Sequence, residues 1–484
     1  MKHLWKLSGI LLAFLAVRLY FIYTFPPFTD ESLYIRWGML MIDKPAYTWA
    51  SIEHISRQPL AFWLFGLGSI LFKNPILGSR LVMLLCNIPT FFLLYITMKK
   101  IFDEKIALYA VTILTFTPLF ILTQTLAIMD GFLFAIAVII LSVLLYAGQK
   151  YTLFHTAIIS ILLAIALWIK STGLFLVALS FVSIFAITIR NKTRPGRIVM
   201  HFFILGMIMT ALILPLLTRP DFVRILQEPQ TFLLSTHGYS QLMQLWVSNS
   251  ITTLYSLFLY TGPVLFLTLI ISLISLRNRN FVFALIWAVL PIVSLIVLAG
   301  NFRFRYASLG SICLIPFMTY GMRMLFRKYT HQAISYVFWI AVVSYCLVFT
   351  LSPVTIFRLF PLSNGERDYA ISWPSGYGIP ELIRWIDAQT KDKNMILAVA
   401  DSPGNPSDYL LAHYYFSPNI RVIFVTVNSV LEFRKIEPLT KKIPVYLATR
   451  TSLVSTDIAP FVQEVIRFNK PLNLDAIALY RISF

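Results

Sequence analysis

The chain has 484 residues, of which 58% are hydrophobic and only 13% are charged, and it carries a formal net charge of +19. Many of its apolar runs are long enough for a helix to cross the ~30 Å hydrocarbon layer of a bilayer, which excludes a water-soluble globular protein. In a polytopic membrane protein such positive charge lies mainly in cytoplasmic loops and meets anionic lipids or phosphates, so nucleic acid is not expected as a partner.

Apolar length and periodicity predict a polytopic α-helical membrane protein with about eleven transmembrane helices. The predicted spans are 7–24, 78–98, 106–122, 126–147, 152–169, 171–189, 198–217, 252–276, 281–299, 306–322 and 333–352. The N-terminal run lacks a small-residue cleavage site and is interpreted as the first helix rather than a removed signal. The short apolar stretch 59–72 and the segment 221–250 are predicted to lie in the membrane interface or to re-enter the membrane.

Charge in the connections between these spans predicts the orientation. If the N-terminus is cytoplasmic, the cytoplasmic connections carry 15 Lys and Arg, whereas the opposite set, more than twice as long, carries 9. Positive charge is enriched in cytoplasmic loops, so a cytoplasmic N-terminus is predicted. An odd number of spans then places the C-terminus on the extracytoplasmic side.

Hydropathy falls in the last quarter of the chain, where LSNGERDYAISWPSGYG is typical of a linker. Beyond it, helix-like ELIRWIDAQ and DYLLAHYYF alternate with strand-like MILAVAD, RVIFVTV, PVYLATR and LDAIALYRI. This alternation predicts a small α/β domain packed outside the membrane. The predicted organisation is a transmembrane domain over 1–356 with an outer loop at 25–77, a linker at 357–378, and an extracytoplasmic α/β domain over 379–484.

Two adjacent carboxylates, Asp30 and Glu31, follow the first predicted span. Acidic groups are costly near lipid and usually mark a functional site. A carboxylate in a partly desolvated site can act as a general base toward a hydroxyl or an amine. A structural alternative is equally compatible with the sequence, because Asp30 is a suitable N-cap for a helix beginning at Glu31.

Several basic residues fall on the same predicted outer face, namely Arg57, Lys170, Arg303 and Arg305. Together they could bind a phosphate or pyrophosphate, since arginine forms bidentate contacts with such groups. The alternative for each is that its side chain simply extends to the membrane interface, which is the commonest arrangement for Lys and Arg at helix ends.

Other polar residues in or near the predicted spans have less specific roles. Asp130 is expected to cap the fourth span or to pair with one of the cations, and Arg18 is expected to pair with a carboxylate. Arg80 is expected to orient or pack the second span. His54 and His237 have no partner at metal-ligand spacing, and the three cysteines lie inside apolar runs, so neither a metal site nor a disulfide framework is predicted.

In chain order, these motifs resemble the GT-C-type glycosyltransferases that use polyprenyl-phosphate sugars, in the protein-mannosyltransferase-like and aminoarabinose lipid A transferase-like branch. The resemblance covers residues 1–350 in order and the C-terminal domain in type. It rests on DESLY, RQPLAFWLFGLGSILF, GSRLVMLL, LAIMDGFLF, LWIKSTGLFL and FRFRYASLGSICLIP. The main departure is Arg57-Gln58-Pro59 in place of Lys-Pro-Pro, which keeps a cation and loses one proline.

The resemblance implies a bacterial inner-membrane enzyme that transfers a sugar from a polyprenyl-phosphate carrier to an extracytoplasmic lipid, glycan or protein, with inversion. It implies that Asp30 is the catalytic carboxylate and that Glu31 supports it or binds the acceptor. The implied lipid-phosphate contacts are Lys170, Arg57, Arg305 and, as a weaker candidate, Arg303; the supporting residues are Tyr34, Asp130 and Arg80. No cofactor is implied, and a requirement for a divalent metal is left open.

Two other classes account for part of the pattern. A transporter or flippase for a lipid-linked anion would use the same cations along a pathway, but the internal repeats typical of transporters are not seen in the sequence. A structural subunit of an envelope assembly would bind a partner through the α/β domain and would tolerate Asp30→Asn. Charge concentrated at one membrane face, with a domain on that face, favours the enzyme.

Overall fold

The computed structural model describes most of the chain as helices followed by a mixed sheet. The described residues are 2–72, 74–222, 239–274, 281–299, 305, 308–328, 332–360, 369, 372, 374–390, 394–402, 405–473 and 475–484. They form two compact units. The first comprises Met1–Ile22, Trp49–Ala61 and Leu81–Leu351, and the second comprises Tyr23–Thr48, Phe62–Arg80 and Ser352–Phe484.

Helices make up most of the described residues up to 359. In chain order they are α1 (Lys2–Thr24), α2 (Thr29–Asp43), α3 (Ala50–Ile55), α4 (Leu60–Phe72), α5 (Pro75–Ile101), α6 (Glu104–Phe116), α7 (Pro118–Thr125), α8 (Met129–Ala147), α9 (Leu153–Ile169), α10 (Gly173–Arg190), α11 (Pro195–Leu217), α12 (Tyr239–Thr261), α13 (Pro263–Ile274), α14 (Phe281–Leu298), α15 (Ser308–Ser311), α16 (Leu314–Lys328), α17 (Gln332–Leu351) and α18 (Pro353–Leu359).

Six of the described helices are long and apolar enough to cross a membrane, and they lie in α1, α5, α8, α10, α11 and α17. The bent pair of α6 and α7 would make a seventh span. In α11 the apolar residues are largely exposed, as expected of a helix that faces lipid. The chain is therefore a multi-pass membrane protein, whereas the predicted count of eleven spans is not confirmed and stays a prediction.

The predicted span 106–122 is not one straight helix, because α6 and α7 meet at an angle of 67°. Pro118 begins α7 and lacks the N–H that would continue the helix. The buried Arg18 guanidinium donates to the carbonyl oxygens of Leu114 (2.8 Å) and Thr115 (3.3 Å) and to the side chain of Gln124 (2.9 Å). Arg18 thus stabilises backbone carbonyls at the break instead of pairing with a carboxylate, which corrects the expectation from sequence.

The C-terminal part of the chain folds around a sheet of five strands within the described residues. Its elements are α19 (Ile379–Gln389), β1 (Met395–Ala400), α20 (Ser407–His413), β2 (Ile420–Val425), α21 (Val430–Arg434), α22 (Glu437–Thr440), β3 (Val445–Arg450), β4 (Val462–Asn469) and β5 (Ala476–Ile482). The strand order is β2-β1-β3-β5-β4, with β1 parallel to β2 and β3, and with β5 antiparallel to β3 and β4.

The four strand-like segments predicted from the sequence form β1, β2, β3 and β5. Strand β4 was not predicted because it is an edge strand whose residues are mostly exposed. It therefore lacks the buried apolar pattern of the central strands, and charged side chains such as Glu464 and Arg467 are typical of a protected edge.

Helix α2 packs against this domain, within the second unit. Ile35 and Met39 of α2 are buried in a cluster with Ala412, together with the partly buried Ile76 and Tyr415. At roughly 25 cal/mol for each Å² of apolar surface, this burial favours a fixed position for α2 on the domain. The helix that carries the two adjacent carboxylates is therefore attached to the C-terminal α/β layer.

Candidate functional site

The first turn of α2 displays Asp30 and Glu31. Phe28 has an extended backbone (φ −94°, ψ 146°) and is the N-cap, so that Thr29, Asp30 and Glu31 form the first turn. The Glu31 carboxylate accepts a hydrogen bond from the Phe28 backbone N–H at 3.0 Å. The capping interaction therefore comes from Glu31, and the alternative in which Asp30 caps a helix beginning at Glu31 is wrong.

Glu31 is fully buried and forms a bidentate ion pair with Arg80, which lies near the start of α5. Arg80 Nε lies 2.8 Å from one carboxylate oxygen of Glu31, and Nη2 lies 2.7 Å from the other. The same guanidinium donates to the carbonyl oxygens of Phe25 (2.6 Å) and Pro26 (2.9 Å). Arg80 thus holds both the carboxylate and the chain that leads into α2.

The charges of this ion pair also affect the pKa of the buried Tyr409 phenol. Burial raises the pKa of the Tyr409 phenol, with the Arg80 charge lowering it and the Glu31 charge raising it. Tyr409 is only 4% exposed. The phenol is consequently neutral at physiological pH, and it adds no charge to the Glu31–Arg80 pair.

Asp30 and Tyr34 lie on the same helix as Glu31 but in different surroundings. Asp30 is the second residue of α2 and is half-buried. Tyr34 lies one turn further on, where its ring packs edge-on against Phe62 (5.1 Å between centroids) and parallel to Phe65 (6.5 Å). Consecutive helical residues point about 100° apart, so the buried contacts of Glu31 do not restrict Asp30 to the same environment.

In the first unit, Lys170 and Asp130 form a second ion pair. Lys170 ends α9, Asp130 lies in the first turn of α8, and Lys170 Nζ is 2.7 Å from an Asp130 carboxylate oxygen. Their side chains are 17% and 10% exposed. Of the two roles expected for Asp130, the structure thus shows pairing with one of the predicted cations, Lys170.

The remaining predicted cations also lie in the first unit where they are described. Arg57 follows Ser56, which ends α3 with φ +49°, and the Arg57 guanidinium donates to the Ser56 carbonyl oxygen at 2.9 Å. Arg305 is described and half-buried. Arg303 and His237 lie outside the described residues. His54 is exposed at the end of α3.

Two contacts of α2 with the C-terminal domain have no signal in the sequence. Arg36 forms an ion pair with Asp408 at 2.7 Å, and its guanidinium lies over the Phe424 ring at 4.7 Å. At the end of the helix, the Tyr415 hydroxyl donates to Asp43 at 2.9 Å. Because hundreds of residues separate these partners along the chain, no local spacing could have revealed them.

Within the described ranges, His, Cys, Asp and Glu side chains do not form any group of three that could hold a metal ion. Each unit contributes its own charged groups: the second unit carries Asp30 beside the buried, ion-paired Glu31, and the first unit carries Lys170, Arg57 and Arg305. Carboxylates accept protons, whereas ammonium and guanidinium groups bind phosphate oxygens.

The fold is similar to those of two solved membrane glycosyltransferases. It matches the ArnT of Cupriavidus metallidurans, solved in the apo state (TM-score 0.56) and bound to undecaprenyl phosphate (TM-score 0.60), at 13% identity. These matches cover 98% of this chain and 98% and 97% of the two ArnT chains. An oligosaccharyltransferase of Archaeoglobus fulgidus, solved with zinc and sulfate, matches with a TM-score of 0.52 and 11% identity over 98% of this chain and 73% of that one.

Residues 56–218 match the family model of dolichyl-phosphate-mannose-protein mannosyltransferases. This segment contains the predicted Arg57, Arg80, Asp130 and Lys170. The resemblance stated from the motifs is thus confirmed by both the fold and the family model. No curated protein sequence matches the chain.

Proposed function

We propose that the chain is an inner-membrane glycosyltransferase that moves a sugar from a polyprenyl-phosphate carrier to an extracytoplasmic acceptor. The observation that carries this proposal is the fold match over nearly the whole chain to an ArnT that was solved with undecaprenyl phosphate. The match to the mannosyltransferase family model, over a segment that contains Arg57 and Lys170, supports the same donor class. The acceptor is a lipid, a glycan or a protein.

In the proposed reaction, Asp30 acts as the general base. An acceptor hydroxyl or amine loses its proton to the Asp30 carboxylate as its oxygen or nitrogen attacks the anomeric carbon of the donor sugar. The bond between that carbon and the phosphate oxygen breaks, and polyprenyl phosphate leaves from the opposite face, so the anomeric configuration inverts. Positioned base catalysis of this kind contributes about 10²- to 10⁴-fold to a rate.

Glu31 has a different role in this proposal. Its carboxylate is buried and already engaged by Arg80 and by the Phe28 N–H. These contacts favour a role in holding the first turn of α2 over direct binding of the acceptor. Tyr34 supports the same helix through its packing on α4.

The leaving phosphate requires cationic partners, and Lys170, Arg57, Arg305 and Arg303 are the proposed ones. Lys170 is held by Asp130, so a lipid phosphate would compete with that carboxylate for the ammonium group. Neutralising the charge that develops on a leaving group is usually a large contribution to transfer catalysis. We propose that the reaction needs no nucleotide, because the lipid carrier takes its place, and that it proceeds without another cofactor or a divalent metal.

The proposed site faces the extracytoplasmic side, with the N-terminus in the cytoplasm. The bias of Lys and Arg toward one set of connections supports this orientation. Another protein would therefore have to flip the lipid-linked sugar across the membrane before transfer.

The proposal is tested by sugar transfer with purified protein in detergent or liposomes. Radiolabelled polyprenyl-phosphate sugars are offered together with a membrane extract as the source of acceptor, with and without EDTA. We expect Asp30→Asn to lower the transfer rate about 10²- to 10⁴-fold while donor binding is retained, because the variant keeps the shape of the side chain and loses the base.

Asp43→Asn is the matched control, since Asp43 lies at the other end of α2 and the new amide oxygen can still accept from Tyr415. This variant should transfer at the wild-type rate. Equal transfer by wild type and Asp30→Asn would remove Asp30 as the base. Movement of the lipid across liposomes without any transfer would contradict the enzyme and favour a flippase, and loss of transfer in EDTA would contradict the metal-free reaction.

A further inference from the structure

The first turn of α2 is tied to the C-terminal domain through one buried amide side chain, that of Asn405. Asn405 is 2% exposed, and its side-chain NH₂ donates to the carbonyl oxygens of Pro27 (3.0 Å) and Pro374 (3.1 Å). Its side-chain oxygen accepts from the Ser32 hydroxyl at 2.9 Å, and its backbone N–H donates to the Thr29 hydroxyl at 3.2 Å. The contacted residues lie on both sides of Asp30 and Glu31.

The segment around Pro374 completes this attachment. The Thr29 backbone N–H and hydroxyl both donate to the Pro374 carbonyl oxygen at 3.0 Å, and Phe28 forms an antiparallel bridge with Ser375. A Cβ atom at Gly376 would lie 1.9 Å from the Pro27 carbonyl oxygen, so the two backbones are in direct contact.

The same segment is anchored in turn to the sheet domain by a buried lysine. Lys470 Nζ donates to the Ser372 carbonyl oxygen at 3.0 Å and lies 3.8 Å from Asp475. Burial lowers the pKa of Lys470 to about 8, while Asp475 opposes the shift. The chain entering α2 is thus hydrogen-bonded to residues around Pro374, and Ser372 is itself hydrogen-bonded to Lys470 of the C-terminal domain.

We propose that Asn405 is a positioning residue, which sets the orientation of the Asp30 carboxylate by fixing residues 27, 29 and 32. The proposal rests on the proposed function, in which Asp30 is the base. It gives the C-terminal domain a part in the reaction: the domain holds the catalytic turn in place. Asn405 itself need not touch donor or acceptor.

An amide is required at this position because the site needs two donors and one acceptor from a single short side chain. Aspartate has the same shape but offers acceptors only when ionised, so it would leave the Pro27 and Pro374 carbonyl oxygens facing a negative charge. A buried polar group without a hydrogen-bond partner raises the free energy of the folded state. We expect the turn to shift so that the two carbonyl oxygens regain partners. A displacement of about 1 Å at a catalytic group can cost about 10²-fold in rate.

The nearby Arg36–Asp408 pair provides a matched control for a purely structural effect. Asp408 lies three residues after Asn405 and also joins the C-terminal domain to α2, but it contacts the helix more than one turn beyond Asp30. Asp408→Asn weakens the same attachment without touching the first turn. A role of Asn405 in stability alone would affect both variants alike.

The kinetic test uses full-length protein in detergent at a temperature well below unfolding. We expect Asn405→Asp to lower kcat about 10- to 100-fold with the donor KM unchanged, and the milder Ser32→Ala to lower kcat less in the same direction. Asp408→Asn should keep kcat near the wild-type value even if its thermal midpoint falls as far as that of Asn405→Asp. An unchanged kcat in Asn405→Asp, or equal losses in Asn405→Asp and Asp408→Asn, would overturn the proposal.

A measurement independent of turnover separates this proposal from the proposed function. Hydrogen–deuterium exchange over residues 27–36 should speed up in Asn405→Asp and Ser32→Ala but stay close to wild type over residues 28–32 in Asp408→Asn. If wild type transfers no sugar, the proposed function fails while exchange still reports on the turn. If exchange at 28–32 does not respond to Asn405→Asp, the positioning role fails whether or not the protein is a transferase.

Discussion

Two carboxylates that are neighbours in the sequence have different surroundings in the folded protein. Glu31 is 0% exposed and its oxygens are engaged by Arg80 and a backbone N–H, whereas Asp30 is half-buried on the same turn. A buried charge is tolerated only when it is paired and hydrogen-bonded, and Glu31 meets both conditions. The adjacent pair DE thus combines one fully buried residue that fixes the backbone with one residue that is only half-buried.

The buried ion pair predicts a specific pattern of stability in variants. Arg80→Met leaves the Glu31 charge buried without its partner, and we expect a loss of about 3–5 kcal/mol in the free energy of unfolding. Glu31→Gln in the Arg80→Met background removes that charge, so the double variant should be more stable than Arg80→Met alone. Thermal unfolding of the purified variants in detergent measures both effects.

The exposed pair Lys435–Glu432 provides the comparison. These side chains are 67% and 43% exposed, so Lys435→Met should change the free energy of unfolding by less than about 1 kcal/mol. If the losses in the free energy of unfolding of Glu31→Gln and Arg80→Met simply add up in the double variant, the two side chains do not interact. That result would contradict the ion pair seen in the structure.

Helices α2 and α4 cross with their backbones in contact, at Gly38 and Gly66. A Cβ atom at Gly66 would lie 2.1 Å from the Gly38 carbonyl oxygen, and one at Gly38 would lie 2.3 Å from the Phe62 carbonyl oxygen. Backbone atoms cannot yield as a flexible side chain can. The position of α2 is therefore set on one side by α4 and on the other by the C-terminal domain.

This crossing predicts that Gly66→Ala is harmful. The added methyl group must push α4 away from α2, which we expect to destabilise the protein by about 1–3 kcal/mol and to lower the transfer rate, because α2 carries Asp30. Gly206→Ala in α11 is the control, since a Cβ atom there would meet nothing within 4 Å. Thermal midpoints and initial rates are compared for the two variants, and an unchanged midpoint in Gly66→Ala would refute the close crossing.

How far the sequence predicts the elements depends on whether the deciding interaction is local. Where the predicted spans are described, apolar length correctly indicated mostly helical structure. Pro118 was a local signal for a bend, and the predicted span 106–122 did not take it into account. In contrast, the predicted span 252–276 is divided between α12 and α13 at Gly262, which has φ +82° and packs on the Tyr345 ring. That contact is distant in sequence, so no window of hydropathy reports it.

The candidate site shows the same limit. The residue types of DESLY and the family resemblance indicated Asp30, Glu31 and the cations. The pairings that define their surroundings, Glu31 with Arg80 and Ser32 with Asn405, join residues 49 and 373 positions apart. The type of side chain at one position can be read from the local sequence, whereas the contacts around that side chain depend on the complete fold.

For the whole molecule, the predicted orientation can be tested by labelling in intact cells. In a background without the three native cysteines, Lys441→Cys in the C-terminal domain should react with a membrane-impermeant maleimide, because Lys441 is 73% exposed and the domain is predicted to lie outside. Arg194→Cys, exposed in the connection between α10 and α11, should react only after the cells are permeabilised. Labelling in the opposite order would reverse the predicted topology.

The hydrogen bonds between the two ends of the second unit can form only late in the synthesis of the chain. Thr29 and Pro374 are 345 residues apart, and Ser32 and Asn405 are 373 apart. At about 5–20 residues per second, a ribosome needs roughly 20 to 70 s to make the intervening chain. The early helices can insert during that interval while the turn with Asp30 still lacks its partners. A chain that ends before Asn405 therefore lacks the contacts that fix residues 27, 29 and 32.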